Sequence, residues 1–370
     1  MVKSQIPHKL ISTKKELHGW YPGKRECTSE RLLINPYNGC SVGCFFCYAR
    51  ALPGHFTEFH KTGVITVAKD FDRTIIKQLS SINVASCGYL SPVTDPFQPI
   101  NSDYKLSEKI IKEFVKRNIP VEFITKCRVP DEAVELISGH PHCFAQASIL
   151  TTDEGLRKIL SPGGASTKEL FADLLKISKK GIFTVCRIDP ILPYLTDSEE
   201  NLKGLINCAV DSGVRHIIAS IMDIPVKISG WVFNFVRKYF GAEIYIKYKK
   251  LYTENIGYIN AELTYRKNIF GYLRDLCDSK KITFALCMEY EKYRDGSDSF
   301  VRGLNRSFMT SKNCEGIDIP VYIRKGEKFV PAIDCAGNCL NCDSAACGIP
   351  ELAMKKSQKT SFKLSDYRRW

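Results

Sequence analysis

Short apolar runs alternate along the chain with longer segments whose apolar positions recur every three or four residues. RLLI (31–34), SCGYLS (86–91), VEFIT (121–125), FAQASIL (144–150), FTVCRID (183–189) and RHIIASI (215–221) read as strands. Between them, FDRTIIKQLSS (71–81), YKLSEKIIKEFVKRN (104–118), DEAVELIS (131–138), TKELFADLLKISKKG (167–181) and SEENLKGLINCAVDSG (198–213) have helical spacing. The second of these carries apolar residues at 106, 110, 111, 114 and 115, one face of a helix, and the fourth ends on a glycine.

Strand–helix alternation of this kind implies right-handed units around a parallel sheet. About six units predict an α/β fold, a partial (β/α)6 barrel with its reactive residues on loops at the carboxyl ends of the strands. An open doubly wound sheet is the alternative. Residues 223–300 are helical in texture and rich in aromatics (WVFNFVRKYF, IFGYLRDL), with another strand expected at TFALCM (283–288), and they complete and cover the barrel. The expected division is a polar lead-in at 1–30, the barrel at 31–300, and a cysteine-rich extension with a basic tail at 301–370.

Composition adds three constraints. With 370 residues, 44% hydrophobic and 25% charged, the chain can bury a large core, and disorder is excluded as its main state. No apolar run approaches the ~20 residues needed to cross a bilayer, and the charged opening MVKSQIPHKL has no apolar stretch behind it, so a cytoplasmic chain without membrane partners is expected. In a reducing compartment, 16 cysteines point to metal or catalysis where they cluster and to small buried hydrophobes where they scatter, as at Cys27. A net charge of +13, with basic runs such as YIKYKK (245–250), suits a nucleic acid or other polyanion.

The densest chemistry lies in NPYNGCSVGCFFCYAR (35–50), where Cys40, Cys44 and Cys47 are spaced C-x3-C-x2-C. A cubane iron–sulfur cluster has four irons, so three thiolates on one loop leave one iron open for reaction. Gly39 and Gly43 let the backbone curl around it, and Tyr37, Phe45, Phe46 and Tyr48 would shield it from water. A zinc knuckle completed by His55 or His60 is the bland alternative, although zinc sites usually carry paired C-x2-C halves.

The spacing, with an aromatic residue before the last cysteine and Tyr-Ala-Arg after it, resembles the signature of the radical S-adenosylmethionine (SAM) superfamily. Its flanks are similar to the spore photoproduct lyase-like branch. The resemblance runs through residues 30–225 and continues in PVTDPFQP (92–99), ITK (124–126), ASILTTDE (147–154), SPGGAS (161–166) and RIDPILP (187–193). It implies a [4Fe-4S] cluster whose free iron chelates SAM, reductive cleavage to a 5′-deoxyadenosyl radical, and hydrogen abstraction from a substrate, with an electron donor such as flavodoxin or ferredoxin as partner. It also implies that Thr94 and Asp95 meet the ribose or amino group of SAM, that Lys126 pairs with its carboxylate, and that Ser148 and Arg187 add further contacts. Asp95 and Asp189, each before a proline, also read as plain turn formers. The chain departs from spore photoproduct lyase at one point: the lyase has a hydrogen-donating cysteine where this sequence has Pro92, which argues against repair of the spore lesion. Cys87 and Cys127 are the nearby thiols that could replace it.

A second group, Cys335, Cys339, Cys342 and Cys347 in DCAGNCLNCDSAACG (334–348), repeats the C-x3-C-x2-C spacing and adds a fourth ligand. It predicts a closed metal site, a second [4Fe-4S] cluster or alternatively zinc, with Cys287 and Cys314 as further donors. An electron relay, a substrate anchor or a staple for the tail would each fit. The expected function is radical chemistry on a substrate the sequence does not name. A metal-stabilised nucleic-acid-binding protein without turnover is the competing class.

Overall fold

The computed structural model describes residues 6–20, 30–52, 57–295, 298–353 and 361–370, so Cys27 and His55 lie outside the described residues. Its centre is a sheet of seven parallel strands: β1 (Arg31–Ile34), β2 (Cys87–Leu90), β3 (Val121–Thr125), β4 (Phe144–Ser148), β5 (Phe183–Ile191), β6 (His216–Ile221) and β7 (Thr283–Leu286). Their spatial order follows the sequence without reversal. A doubly wound sheet needs a reversal at its switch point, so the open-sheet alternative gives way to the partial barrel. The segment 283–286 joins the sheet as a seventh strand, one more than the six repeating units expected.

Alternation along these strands sorts two environments. Ile34, Leu90, Phe123, Ala145, Cys186, Ile217 and Phe284 belong to the two large apolar clusters beneath the helices. Those helices are α1 (Phe71–Leu79), α2 (Leu106–Lys116), α3 (Asp131–Ser138), α4 (Thr167–Lys179), α5 (Glu199–Asp211), α6 (Ser229–Leu251), which bends at Gly241, α7 (Leu263–Ser279) and a terminal α8 (Leu364–Arg369). The intervening positions face inward, and side chains from separated strands meet there: Cys87, Phe144, Val185 and Ile218 form one cluster with Ile319. That cross-strand contact is the mark of a sheet curled on itself.

The lumen also holds a chain of polar side chains. Arg31 Nε donates to Glu122 Oε1 at 2.8 Å, Gln146 Nε2 donates to Glu122 Oε2 at 2.6 Å, and Arg187 Nη1 donates to Gln146 Oε1 at 3.1 Å. Arg187 Nε then donates to Asp189 Oδ2 at 3.0 Å, and the Ser220 hydroxyl donates to Asp189 Oδ1. Removing one partner of a buried ion pair such as Arg31–Glu122 leaves a bare charge and costs about 3–5 kcal/mol.

The chain beyond β7 closes the amino end of this barrel. Thr310 N–H donates to Phe284 O at 2.9 Å, His216 Nε2 meets Cys314 O at 3.1 Å, and Glu315 pairs with Arg31. Tyr322–Lys325 pairs antiparallel with Val84–Ala85 just ahead of β2, and the Tyr322 hydroxyl meets His142 Nδ1 at 2.6 Å just ahead of β4. Residues 310–325 are thus a floor that touches the start of most strands. Among the described residues, no helix is long and apolar enough to cross a membrane.

Candidate active site

The motif loops all leave the carboxyl ends of their strands: residues 35–50 follow β1, 91–99 follow β2, 126–128 follow β3 and 149–153 follow β4. Neighbouring loops then hold the cysteine loop in place. Gln98, fully buried, donates from Nε2 to Gly39 O at 3.2 Å and accepts from Ser41 N–H at 3.0 Å. Asn35 Oδ1 accepts from Val93 N–H and from the Ser91 hydroxyl, both at 3.1 Å. Tyr48, next to Cys47, donates its hydroxyl proton to Pro92 O. Gly39 and Gly43 take φ of 95° and 76°, the left-handed turn the loop needs.

The loop 161–165 fastens the other side. Gly163 N–H donates to Val42 O at 3.0 Å, and Ala165 N–H donates to Lys126 O at 2.8 Å. Arg157, buried, donates from Nη1 to Ser161 O and Gly164 O at 3.2 and 3.0 Å, which fixes the loop's curl. The last residue of the motif, Ser166, starts α4 through a reciprocal capping pair with Glu169. Asp153 of TTDE likewise caps the short helix Glu154–Leu160, accepting from Leu156 N–H at 3.0 Å.

Asp95 is buried and already engaged. Its Oδ1 accepts from Phe97 N–H at 2.9 Å and Thr125 Oγ1 at 2.8 Å, and its Oδ2 accepts from Lys126 N–H at 2.6 Å. Burial raises this carboxyl above its ordinary range, and the three donors offset only part of that. Its own N–H faces the sulfur of Cys40. Asp95 therefore ties the loop after β2 to the end of β3, carrying Lys126 with it. Thr94 is buried beside Ser91, 3.1 Å between hydroxyl oxygens. The Lys126 ammonium lies 6.0 Å from the centre of the Phe46 ring, close enough to act on Cys44 and Cys47, and makes no ion pair among the described residues.

Burial raises all three loop thiols, Cys44 to about 12. Left to themselves they would stay protonated; a bound cationic centre would make thiolates of them. The set fits an iron–sulfur cluster in donor chemistry: sulfur only, on one loop, with the Asp95 N–H aimed at Cys40 and a cation nearby. No three or more His, Cys, Asp or Glu side chains among the described residues stand where one metal ion could bind them. His60 is instead 3.2 Å from Arg50 Nη1.

The remaining expected residues scatter. Ser148 is buried at the end of β4, paired in register with Arg187 of β5. Arg187 is occupied by Asp189 and Gln146. Burial by itself would raise Asp189, but the Arg187 guanidinium and the Ser220 hydroxyl outweigh it and hold the carboxyl below its usual range. Cys127, after β3, does not scatter with the others: its thiol is buried, meets Asp95 and lies close to Cys40 and Cys44. Cys87 opens β2 at the floor end, in the cluster with Phe144 and Ile319, well away from the cysteine loop.

Two groups at the mouth, Asp223 and Glu289, escaped the sequence reading, and a third, Cys287, was expected as a donor to the second cysteine group but stands at the end of β7 instead. Cys287, directly after β7, hydrogen-bonds Arg187 and lies near Tyr48 and Tyr89. Asp223, two residues past β6, is pushed up to about 7 by burial and by the charges of Glu289 and Asp189. Glu289 is raised to about 7 by burial, although Arg266 Nη1 donates to it at 2.9 Å. Their strand-end positions were the available signal.

Helix α6 covers the cysteine loop from outside. The Trp231 indole N–H donates to Phe45 O at 3.1 Å, and Phe235 stacks on Phe45 with centroids 4.1 Å apart. Tyr239 stacks on Phe235 at 4.3 Å, and Arg50 lies over Trp231 at 5.1 Å.

No family model matches the chain. It is 27% identical over 353 residues to a radical SAM Nalpha-GlyT isomerase of Pseudomonas phage M6, covering 91% of this chain and 73% of that protein. It is 28% identical over 169 residues to an uncharacterised protein of Methanocaldococcus jannaschii, covering 46% of this chain and 63% of that one. Among solved structures, spore photoproduct lyase complexed with dinucleoside spore photoproduct has the same fold, with a TM-score of 0.56 at 13% identity over 75% of this chain and 81% of that one.

Proposed function

We propose that this protein, an enzyme of the radical SAM type, holds its [4Fe-4S] cluster on Cys40, Cys44 and Cys47 and acts on a nucleic-acid substrate. As an enzyme it is more than a metal-stabilised binding module. The observation that carries the reading is the clamp at the mouth: residues 163–165 bind Val42 on one side and Lys126 on the other, which draws the cysteine loop and a cation together. When bound, the cluster and SAM supply an electron and a cleavable C–S bond, from which a 5′-deoxyadenosyl radical arises.

The chain's own residues do the positioning. Lys126, beside Phe46 and close to Cys44 and Cys47, offers an ammonium that would hold an anionic group such as the carboxylate of SAM. Thr94 and Ser148 present hydroxyls at the ends of β2 and β4, within the ring of strand ends where the ribose would lie. Asp95 acts through Lys126, and Arg187 acts through Gln146 and Asp189, holding the wall of the lumen. Phe45, Phe46 and α6 keep water from the loop.

Charge supports the substrate class. The net charge is +13, and Trp231 and Tyr239 are each 50% exposed on the helix over the cysteine loop, with Arg50 and Lys238 against their rings. Exposed aromatics among cations bind single-stranded or unstacked bases. The phage relative is named for an Nalpha-GlyT substrate, and the lyase of like fold is complexed with a dinucleoside.

Anaerobic incubation with SAM and dithionite tests the assignment. 5′-Deoxyadenosine should form with the native chain and vanish with Cys47→Ala. Equal yield from that variant would overturn it.

A further inference from the structure

We propose that Cys335, Cys339, Cys342 and Cys347 hold a second iron–sulfur cluster, a closed four-thiolate centre in the floor of the barrel. This goes beyond the function proposed for the mouth and does not depend on it. The two cysteine groups share the C-x3-C-x2-C spacing and also a turn: Cys47 N–H donates to Cys44 O at 3.4 Å, and Cys342 N–H donates to Cys339 O at 3.4 Å. The same local backbone therefore presents three sulfurs in both places.

Main-chain donors converge on these sulfurs. Val321 N–H donates to Cys335 Sγ at 3.4 Å, Ala345 N–H donates to Cys342 Sγ at 3.2 Å, and the Glu30 N–H faces Cys339. Cys347 and Cys335 hydrogen-bond each other, which brings the fourth sulfur to the group. Backbone N–H groups aimed at sulfur favour the anionic thiolate, and several thiolates together require a cation among them. As at the mouth, no three such side chains among the described residues stand within reach of one ion. The spacing and turn shared with the loop at the mouth, rather than paired C-x2-C halves, favour an iron–sulfur cluster over zinc.

The location decides what the centre can do. Gly337 lies so close to the floor that a Cβ there would be 1.8 Å from Ile319 O. Glu30, whose N–H faces Cys339, precedes β1 and accepts a hydrogen bond from the Tyr367 hydroxyl of α8 at 2.8 Å. The centre thus joins the chain's tail to the first strand, at the end of the barrel opposite Cys40. Substrate bound at the mouth cannot touch it, so it is not a substrate anchor. With a ligand from the protein for every iron, it also leaves no position for SAM.

The test uses the full chain, purified without oxygen, in native form and as two triple variants. Cys40→Ala/Cys44→Ala/Cys47→Ala should keep about half the native iron and sulfide, with the Mössbauer signature of a [4Fe-4S] cluster, and make no 5′-deoxyadenosine. Cys335→Ala/Cys339→Ala/Cys342→Ala should also lose about half the iron. A mouth variant that is iron-free, or that carries stoichiometric zinc, overturns the inference while leaving the assignment at the mouth intact. Should the tail variant fail to fold, the mouth variant decides alone, because its four tail cysteines are untouched.

Discussion

Gly163 lies so near Ser41 that a Cβ on the glycine would stand 2.1 Å from the serine carbonyl oxygen. The contact joins two loops far apart in sequence, and both partners at the closest approach are main chain, which has little room to give. Gly163→Ala must push the cysteine loop away from Lys126. We expect a loss of about 1–3 kcal/mol in stability, as overpacking usually costs. Iron content after anaerobic purification should fall along with the melting temperature. Native iron content in the variant would mean that the clamp does not shape the loop.

Asp95 offers a cleaner separation of position from fold. Asp95→Asn keeps size and shape but turns an amide N–H₂ or a weaker acceptor toward donors that now meet a carboxylate, Lys126 N–H at 2.6 Å among them. A buried donor left unpaired costs about 1–3 kcal/mol. Because Asp95 acts through Lys126, the KM for SAM should rise by about tenfold while iron content stays native. A purely structural role would lower iron content as KM rises, and iron analysis beside SAM-cleavage kinetics distinguishes the two.

Strand positions, their parallel arrangement and the ends carrying chemistry were legible because buried strands and amphipathic helices differ in period. The boundaries at 121–125 and 131–138 agree between sequence and structure. The polar lumen was not legible. Glu122, Gln146 and Arg187 sit one to a strand inside apolar runs, and only the curl of the sheet brings them into one chain. The floor was hidden for a related reason: residues 310–325 contain no periodic segment, and their partners lie at strand starts up to about 280 residues away. Motif residues also proved to have ordinary duties beside any chemical one, since Ser166 and Asp153 cap helices. Gln98, within PVTDPFQP, went unremarked although it buttons the cysteine loop to β2, because a lone glutamine in a turn-rich stretch carries no spacing signal.

The carboxyl of Asp223 makes a pH prediction with a definite sign. Its ordinary value lies near 3.8, and in the folded chain it stands at about 7. Between those values the folded state holds a proton that the unfolded state has released, so stability falls as pH rises through this window and levels off above it. Asp223→Asn removes the titration. The variant should gain melting temperature relative to native protein at pH 8 and little at pH 4, with the difference opening progressively between. A difference that is constant across pH would show that the carboxyl titrates normally. Glu289, also at about 7, should behave alike but lose its bond to Arg266 on substitution, so Asp223 is the better probe.

Helix α6 provides the test of substrate class. If bases stack on the half-exposed rings of Trp231 and Tyr239, Trp231→Ala should weaken retention of a single-stranded oligonucleotide by about 1–3 kcal/mol. Stacking is largely neutral in charge, so that variant should keep the native dependence on salt. Lys238, over the Tyr239 ring at 5.3 Å, would act on the same strand through its phosphates instead. Lys238→Glu should flatten the slope of log affinity against log salt by roughly one counterion. The Cys47→Ala protein should bind as the native one does, because its lesion lies beneath the helix, in the chemistry and not in the docking surface. Filter retention across a salt series resolves all three. Native retention by both helix variants would mean that polyanions approach the mouth by another face, and unaltered binding by Trp231→Ala alone would mean that the charge attracts the backbone without any base being stacked.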